Sequence, residues 1–335
     1  MLLKRLTDAC GLPGFEDEVR NIIKDELVAD SIRIDRMGNL ISVKNETAKG
    51  PHIAISAHMD EVGLCVKHIE KNGGIKFASW GVDQRLLPSL RVLVGKNKIP
   101  GVIGTKPIHL QKDAERKTVI EMDKLYIDIG CESKEECEKL VSLGDFVAFE
   151  SEFVQFGENK IKAKALDDRV GCAAIIELMK LDLPCKITGI FCTQEEIGLR
   201  GSAVAAKGLN ADLVINIEGT ICADTEGVPV HSHVTTLGAG PALSLMDLRS
   251  IYSRKYLDGI IHIAEAHNIP YQYRRTGMGG TDAFNYHMAN AGTPCIGISV
   301  PCRYIHSPVS VMDKNDYENL VKLIGCYLTE GTYEH

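Results

Sequence analysis

The sequence predicts an α/β protein whose main domain is interrupted by a smaller β-rich one. Short apolar runs alternate with helical patterns near both ends of the chain. Between them, residues 64–156 switch to short alternating segments broken by turns such as Asn72-Gly73-Gly74, Pro100-Gly101 and Gly144-Asp145. At 335 residues the chain is longer than one average domain. The expected organisation is residues 1–63 with 157–335 as the main domain and residues 64–156 as the insertion.

Bulk properties narrow the class. A chain 44% hydrophobic and 25% charged is globular. Its net charge of −7, with no basic stripe, speaks against nucleic acid as a partner. No run of 18 apolar residues predicts a membrane span, and the first residues lack a signal-peptide pattern. The eleven cysteines are scattered and include no Cys-x-x-Cys pair. They read as reduced, mostly buried thiols in a cytoplasmic protein rather than as disulfides or a thiolate zinc site.

In chain order, Leu2, Leu3 and Leu6, then Val19, Ile22, Ile23 and Leu27, recur at helical intervals around an interruption at Gly11-Leu12-Pro13-Gly14. Glu16, Asp17 and Glu18 crowd the start of the second helix, where the macrodipole favours acids. A hairpin follows, turning at Met37-Gly38-Asn39. Residues 51–57 form the first buried strand, which runs into His58-Met59-Asp60. His58 and Asp60, two apart on extended chain, point the same way. A carboxylate there could orient a metal-bound imidazole.

In the insertion, residues 134–143 read as one helix and 110–124 as an exposed charged loop. The α/β pattern resumes with a strand over 160–166, then Asp167-Asp168-Arg169 and a helix ending before Pro184. One aspartate there suffices to cap the helix, which leaves the second for other work. Residues 187–192 form a buried strand ending in Thr193-Gln194-Glu195-Glu196-Ile197-Gly198. Residues 213–217 form another, ending in Glu218. His231-Ser232-His233 alternates as a surface strand, residues 251–267 are helical, and Gly277 to Asp282 are glycine-dense without matching a phosphate-binding loop. Residues 295–300 form the last buried strand, leading to His306, and a helix over 317–328 closes the chain.

Five apolar segments thus end in residues able to bind metal: His58, Asp167, the Glu195–Glu196 pair, Glu218 and His306. In open α/β sheets ligands gather at the carboxyl ends of strands. Two imidazoles, several carboxylates and no thiolate suit Zn, Co or Mn. Five ligands are generous for one ion and fit two bridged by a carboxylate. One glutamate of the pair would bind metal; the other would take a proton from a metal-bridging water and pass it to a leaving group. The expected reaction is hydrolysis of an unactivated bond, an amide before any other.

Ala57-His58-Met59-Asp60-Glu61-Val62-Gly63, Lys164-Ala165-Leu166-Asp167-Asp168-Arg169-Val170-Gly171, Thr193-Gln194-Glu195-Glu196-Ile197-Gly198, Gly279-Gly280-Thr281-Asp282-Ala283 and Ile305-His306-Ser307-Pro308 together resemble the M42 family of dinuclear metallo-aminopeptidases. Lys106-Pro107-Ile108-His109 and Leu125-Tyr126-Ile127-Asp128-Ile129-Gly130 resemble that family's inserted domain. The resemblance implies a three-layer, mixed-sheet metallopeptidase domain carrying a small β-barrel-like dimerisation domain. It implies that Asp167 bridges two metals, that Glu196 and His306 complete one site, and that His58 and Glu218 complete the other. It implies Glu195 as general base and Asp60 as the residue orienting His58. Position 218 is often Asp in the family; glutamate there puts local geometry and metal preference in question. The resemblance further implies short peptide substrates and assembly of dimers into a tetrahedral dodecamer. Two readings stand against it: a glycosidase, which needs two carboxylates and no metal, and a catalytically silent assembly module.

Overall fold

The computed structural model describes residues 1–275 and 279–331. The chain divides into two compact units. One comprises Met1–Glu61, Phe153–Ile305 and Val309–His335; the other comprises Val62–Glu152 and His306–Pro308.

The first unit opens with helices α1 (Leu2–Asp8) and α2 (Asp17–Glu26) and strands β1 (Ser31–Ile34), β2 (Leu40–Lys44) and β3 (His52–His58). The second unit contributes β4 (Gly63–Ile69), β5 (Ile75–Trp80), β6 (Arg91–Val94), β7 (Ile99–Gly104), helix α3 (Asp113–Arg116), β8 (Tyr126–Asp128), α4 (Lys134–Cys137) and β9 (Phe146–Phe149). The first unit then resumes with β10 (Val154–Phe156), β11 (Lys160–Ala163), α5 (Leu166–Leu178), β12 (Lys186–Cys192), α6 (Arg200–Ala205) and β13 (Leu213–Ile221). It ends with β14 (Ala242–Ser244), α7 (Arg254–Ala266), β15 (Gln272–Arg274), α8 (Ala283–Met288), β16 (Cys295–Arg303), β17 (Ser310–Asp313) and α9 (Lys314–Glu330).

Among the described residues of the first unit, eleven strands make one mixed sheet. Its path is β1-β2-β12-β3-β13-β16-β17-β11-β10, with β14 on β16 and β15 on β14. The central β12, β3, β13 and β16 run parallel. Parallel strands covered on both faces read as continuous apolar runs, and β3 shows why. Ile53, Ile55 and Ala57 pack on one side with Val170, Cys172, Ala173 and Ile176 of α5. Ala54 packs on the other with Val214, Ala205 and Tyr286. Helices on both sheet faces give the three layers. Each fully buried Ile or Leu contributes about 1.5–3 kcal/mol before chain entropy is subtracted. The second unit closes β4-β5-β8-β7-β6-β9 into a barrel filled by Leu64, Val66, Ile75, Val92, Val94, Ile127, Val147 and Phe149.

Some expectations shift. The helix expected over 134–143 is a single turn, α4, because Cys137 and Val141 are the only buried residues among charged neighbours. The loop over 110–124 carries the one-turn α3 and a 3-10 turn at Met122–Lys124. The strand expected over 160–166 stops at Ala163, since Ala165 turns left-handed at φ 53. His231 and His233 sit at a 3-10 turn, Val230–Ser232, not on a strand; two alternating residues carry too little pattern to distinguish the two. β16 is followed by one more strand, β17. Gly277 and Met278 lie outside the described residues.

Candidate active site

The register of the parallel strands assembles the site. Cys192 of β12 pairs with His58 of β3, so Glu195 and Glu196 lie just past that strand end. Ser56 pairs with Asn216, which brings Glu218, two residues further along β13, level with His58. Glu218 is therefore inside its strand, not at the end, because β13 pairs with β16 as far as Ile221.

His58 is the hub. Its Nε2 lies 3.4 Å from Asp167 Oδ1, 3.6 Å from Glu218 Oε2 and 4.0 Å from Glu195 Oε2. Its Nδ1 lies 3.0 Å from the Asp60 carbonyl and 3.6 Å from the Asp60 carboxylate. Glu218 is held by the Asn216 side-chain amide, which donates to Oε1 at 2.9 Å. Both oxygens of Asp168 are engaged: Oδ2 accepts the His58 backbone N–H at 3.2 Å and Oδ1 accepts that of Gly171 at 3.0 Å. Asp168 thus caps the helical part of α5, and Asp167 is the aspartate that faces His58 Nε2. The peptide bond between them is cis.

The turn bearing the two glutamates hangs on side-chain acceptors. Asn39 Oδ1 accepts the Thr193 N–H at 2.9 Å, and Glu16 Oε1 accepts that of Gln194 at 3.1 Å. Asp60 takes the next two, Glu195 N–H on Oδ1 at 2.9 Å and Glu196 N–H on Oδ2 at 3.0 Å. Four consecutive backbone donors are therefore each matched. Beneath the Asp167 turn, Glu61 accepts from Lys164 Nζ at 2.6 and 2.7 Å and from Arg169 at 3.2 Å, a buried ion triad.

The electrostatics follow from crowding acids in a dry place. Burial alone would lower the His58 pKa. Contact with Asp167 and Asp60, then Glu195 and Glu218, reverses that and holds it well above its ordinary value. Burial pushes Asp168, Glu195 and Glu218 well above the usual carboxylate range. Asp282, hydrogen-bonded by the Ser202 hydroxyl, is raised by burial to about 6. Two sets of donor atoms, His58–Asp168–Glu218 and His58–Glu195–Glu196, each fall within 4.8 Å of one another. Imidazole and carboxylate donors crowded together, with no cysteine in either set, fit a divalent cation of the Zn, Co or Mn type, whose charge would favour the ionised carboxylates. Beside the glutamates, Glu195, Glu196, Gly198, Leu199, Leu248, Arg249 and Gly280 line a cavity of about 290 Å³.

The first unit therefore brings together His58, Asp60, Asp167, Glu195, Glu196 and Glu218. His306 belongs to the second unit, where its Nδ1 is 3.1 Å from the Gly81 carbonyl. Sequence reasoning missed Glu16 and Asn39 as supports of the glutamate turn, and Asp282 as a buried acid beside it. It assigned Asp60 to the imidazole; its carboxylate also holds the Glu195–Glu196 backbone.

The family model of the M42 glutamyl aminopeptidases matches residues 38–323. The chain belongs to the M42 peptidase family. It is accordingly an enzyme, an aminopeptidase. Its M42 fold matches the aminopeptidase APDkam598 of the archaeon Desulfurococcus kamchatkensis with a TM-score of 0.94 at 35% identity, covering 99% of this chain and 94% of that one. It matches the Pyrococcus horikoshii TET1 peptidase, described as assembling into a tetrahedron or a large octahedral shell, with a TM-score of 0.87 at 35% identity over 98% of both chains. The lysyl aminopeptidase of Pyrococcus furiosus is 30% identical over 342 residues, 98% of this chain and 96% of that one. Among the described residues of this M42 member, no helix is long and apolar enough to cross a membrane.

Proposed function

We propose that this M42 enzyme releases the N-terminal residue of short peptides, using two divalent cations per chain and Glu195 as general base. The observation that carries the reading is the ring of Asp167, Glu195 and Glu218 around the buried His58 imidazole. In this reading His58 and Glu218 would hold one ion, Glu196 and His306 would hold the other, and Asp167 would serve both. When bound, such cations polarise the scissile carbonyl and lower the pKa of water. Glu195 accepts the proton of the attacking water and delivers it to the leaving amine. Asp60 keeps Glu195 in place by holding its backbone N–H and keeps His58 oriented through Nδ1. The longer side chain at Glu218 still reaches the space beside His58, at 3.6 Å. We assign Zn or Co to the site, with Mn as the third candidate.

We further propose a homo-oligomer, dimers assembling into a tetrahedral dodecamer, with residues 64–156 as the dimerisation domain. The assembly described for the Pyrococcus horikoshii relative supports this reading. The cysteines among the described residues are all free thiols, which favours a reducing, cytoplasmic setting.

The test is a panel of aminoacyl anilides assayed with each metal after chelation, together with metal analysis and light scattering. Hydrolysis should vanish with chelator, return with about two equivalents of metal, and release no reducing sugar from cellulose. Sugar release, or hydrolysis indifferent to chelator, refutes the proposal.

A further inference from the structure

We propose that His267, Cys326 and Glu330 form a second, peripheral site for one divalent cation of the zinc class, clamping the last turn of α9 to the end of α7. The three donor atoms lie within 4.8 Å of one another. They come from the ends of two packed helices. His267 directly follows α7, its N–H bonded to Ile263 O at 3.0 Å. Cys326 and Glu330 are four residues apart on α9, one above the other on one helix face. The two helices share a core in which Ile260, Ile263 and Ala264 meet Leu323, Ile324 and Tyr327.

The donor chemistry selects the ion. An imidazole, a thiolate and a carboxylate suit zinc, cobalt or nickel; calcium and magnesium call for oxygen donors alone. The charges balance, because a thiolate and a carboxylate together neutralise a divalent ion. Access is open, since the His267 and Glu330 side chains are 31% and 50% exposed, which leaves room for water as a fourth ligand. His267 Nε2 is 2.9 Å from Glu330 Oε2. The Cys326 thiol is kept protonated by partial burial and by the Glu330 charge. Binding breaks the Cys326 S–H bond, releases that proton to solvent and gives up the His267–Glu330 hydrogen bond. Bonds from sulfur, nitrogen and oxygen to the ion replace them. The simpler alternative is an ordinary ion pair at a helix end with a cysteine packed beside it.

Cobalt separates the two, because the other groups able to hold a metal among the described residues contain no cysteine. The whole enzyme, freed of metal and titrated with Co²⁺, should develop a thiolate-to-cobalt charge-transfer band with about one equivalent beyond those taken by the catalytic centre. Cys326→Ser should abolish the band and keep peptidase activity. Glu330→Gln, a change on an exposed side chain that leaves folding intact, and His267→Ala should each weaken the cobalt affinity read from the band at least tenfold. A band that survives in Cys326→Ser, or no band in the unaltered enzyme, overturns the proposal.

Discussion

Replacing Glu16 with Gln tests the account of the glutamate turn, because the substitution removes a buried charge and keeps its hydrogen bonds. Glu16 is 2% exposed and its pKa is raised from 4.5 to about 6, chiefly by burial. Both N–H groups it receives, from Gly14 at 2.8 Å and Gln194 at 3.1 Å, end on the same oxygen, Oε1. A glutamine carbonyl can accept both. The other oxygen faces Arg20 only at 4.0 Å, and Arg20 is already bonded to Asp17 and to the Gly38 carbonyl. A native pKa above the unfolded one means the folded state binds the proton more tightly. Stability from this group is present at low pH and is lost as pH rises from about 4.5 to 6. The loss is roughly 1.5 pKa units, or about 2 kcal/mol at neutral pH. Glu16→Gln should therefore be more stable than the unaltered enzyme at pH 7, by at most that amount, and the advantage should shrink to nothing near pH 4. Urea unfolding of both proteins at several pH values measures this. Equal stability at pH 7, or a difference that does not change with pH, refutes the reasoning. Glu16→Ala, which leaves the Gln194 N–H without its acceptor, should lose stability and rate together.

Asp60→Asn should behave oppositely to Glu16→Gln. Its two oxygens each hold a different N–H, so an amide group must face one donor, at a cost of about 1–3 kcal/mol in unfolding free energy and a fall in kcat; unchanged unfolding would refute this. Glu195→Gln should keep bound metal and lose roughly 100- to 10,000-fold in kcat, and a near-normal rate removes it as the base. Asp167→Ala should lose metal from both sites by elemental analysis; two ions per chain retained would refute the bridging role. Arg249 lines the cavity beside Glu195 and Glu196 and offers an acidic N-terminal side chain an opposite charge. Arg249→Ala should then cost glutamyl anilide about fivefold more in kcat/KM than leucyl anilide, the value of about 1 kcal/mol for a solvent-screened pair; equal losses refute the role.

The side chains gathered around His58 were legible because of where buried parallel strands must stop. β3 and β12 are mostly apolar since both faces are covered, with Ser56 and Thr188 as buried polar exceptions, so a cluster of polar residues marks the point where the chain leaves the sheet. His58 and Glu195–Glu196 stand at such points. Glu218 breaks the rule by three residues, because β13 continues beside β16 after β3 has ended, and no local pattern announces which neighbour runs longer. What holds these residues was not legible for a related reason. Glu16 receives an N–H 178 residues away, and Asn39 one 154 away. Its place in a run of acids at a helix start reads equally well as a macrodipole effect. The difference lies in burial: Asp17 and Glu18 are exposed, while Glu16 is not. That one acid turns inward to accept the N–H of Gln194 from a distant segment, a tertiary event. Side chains that act can be read from the ends of apolar runs, but the acceptors that position them depend on register between distant segments, which periodicity does not encode.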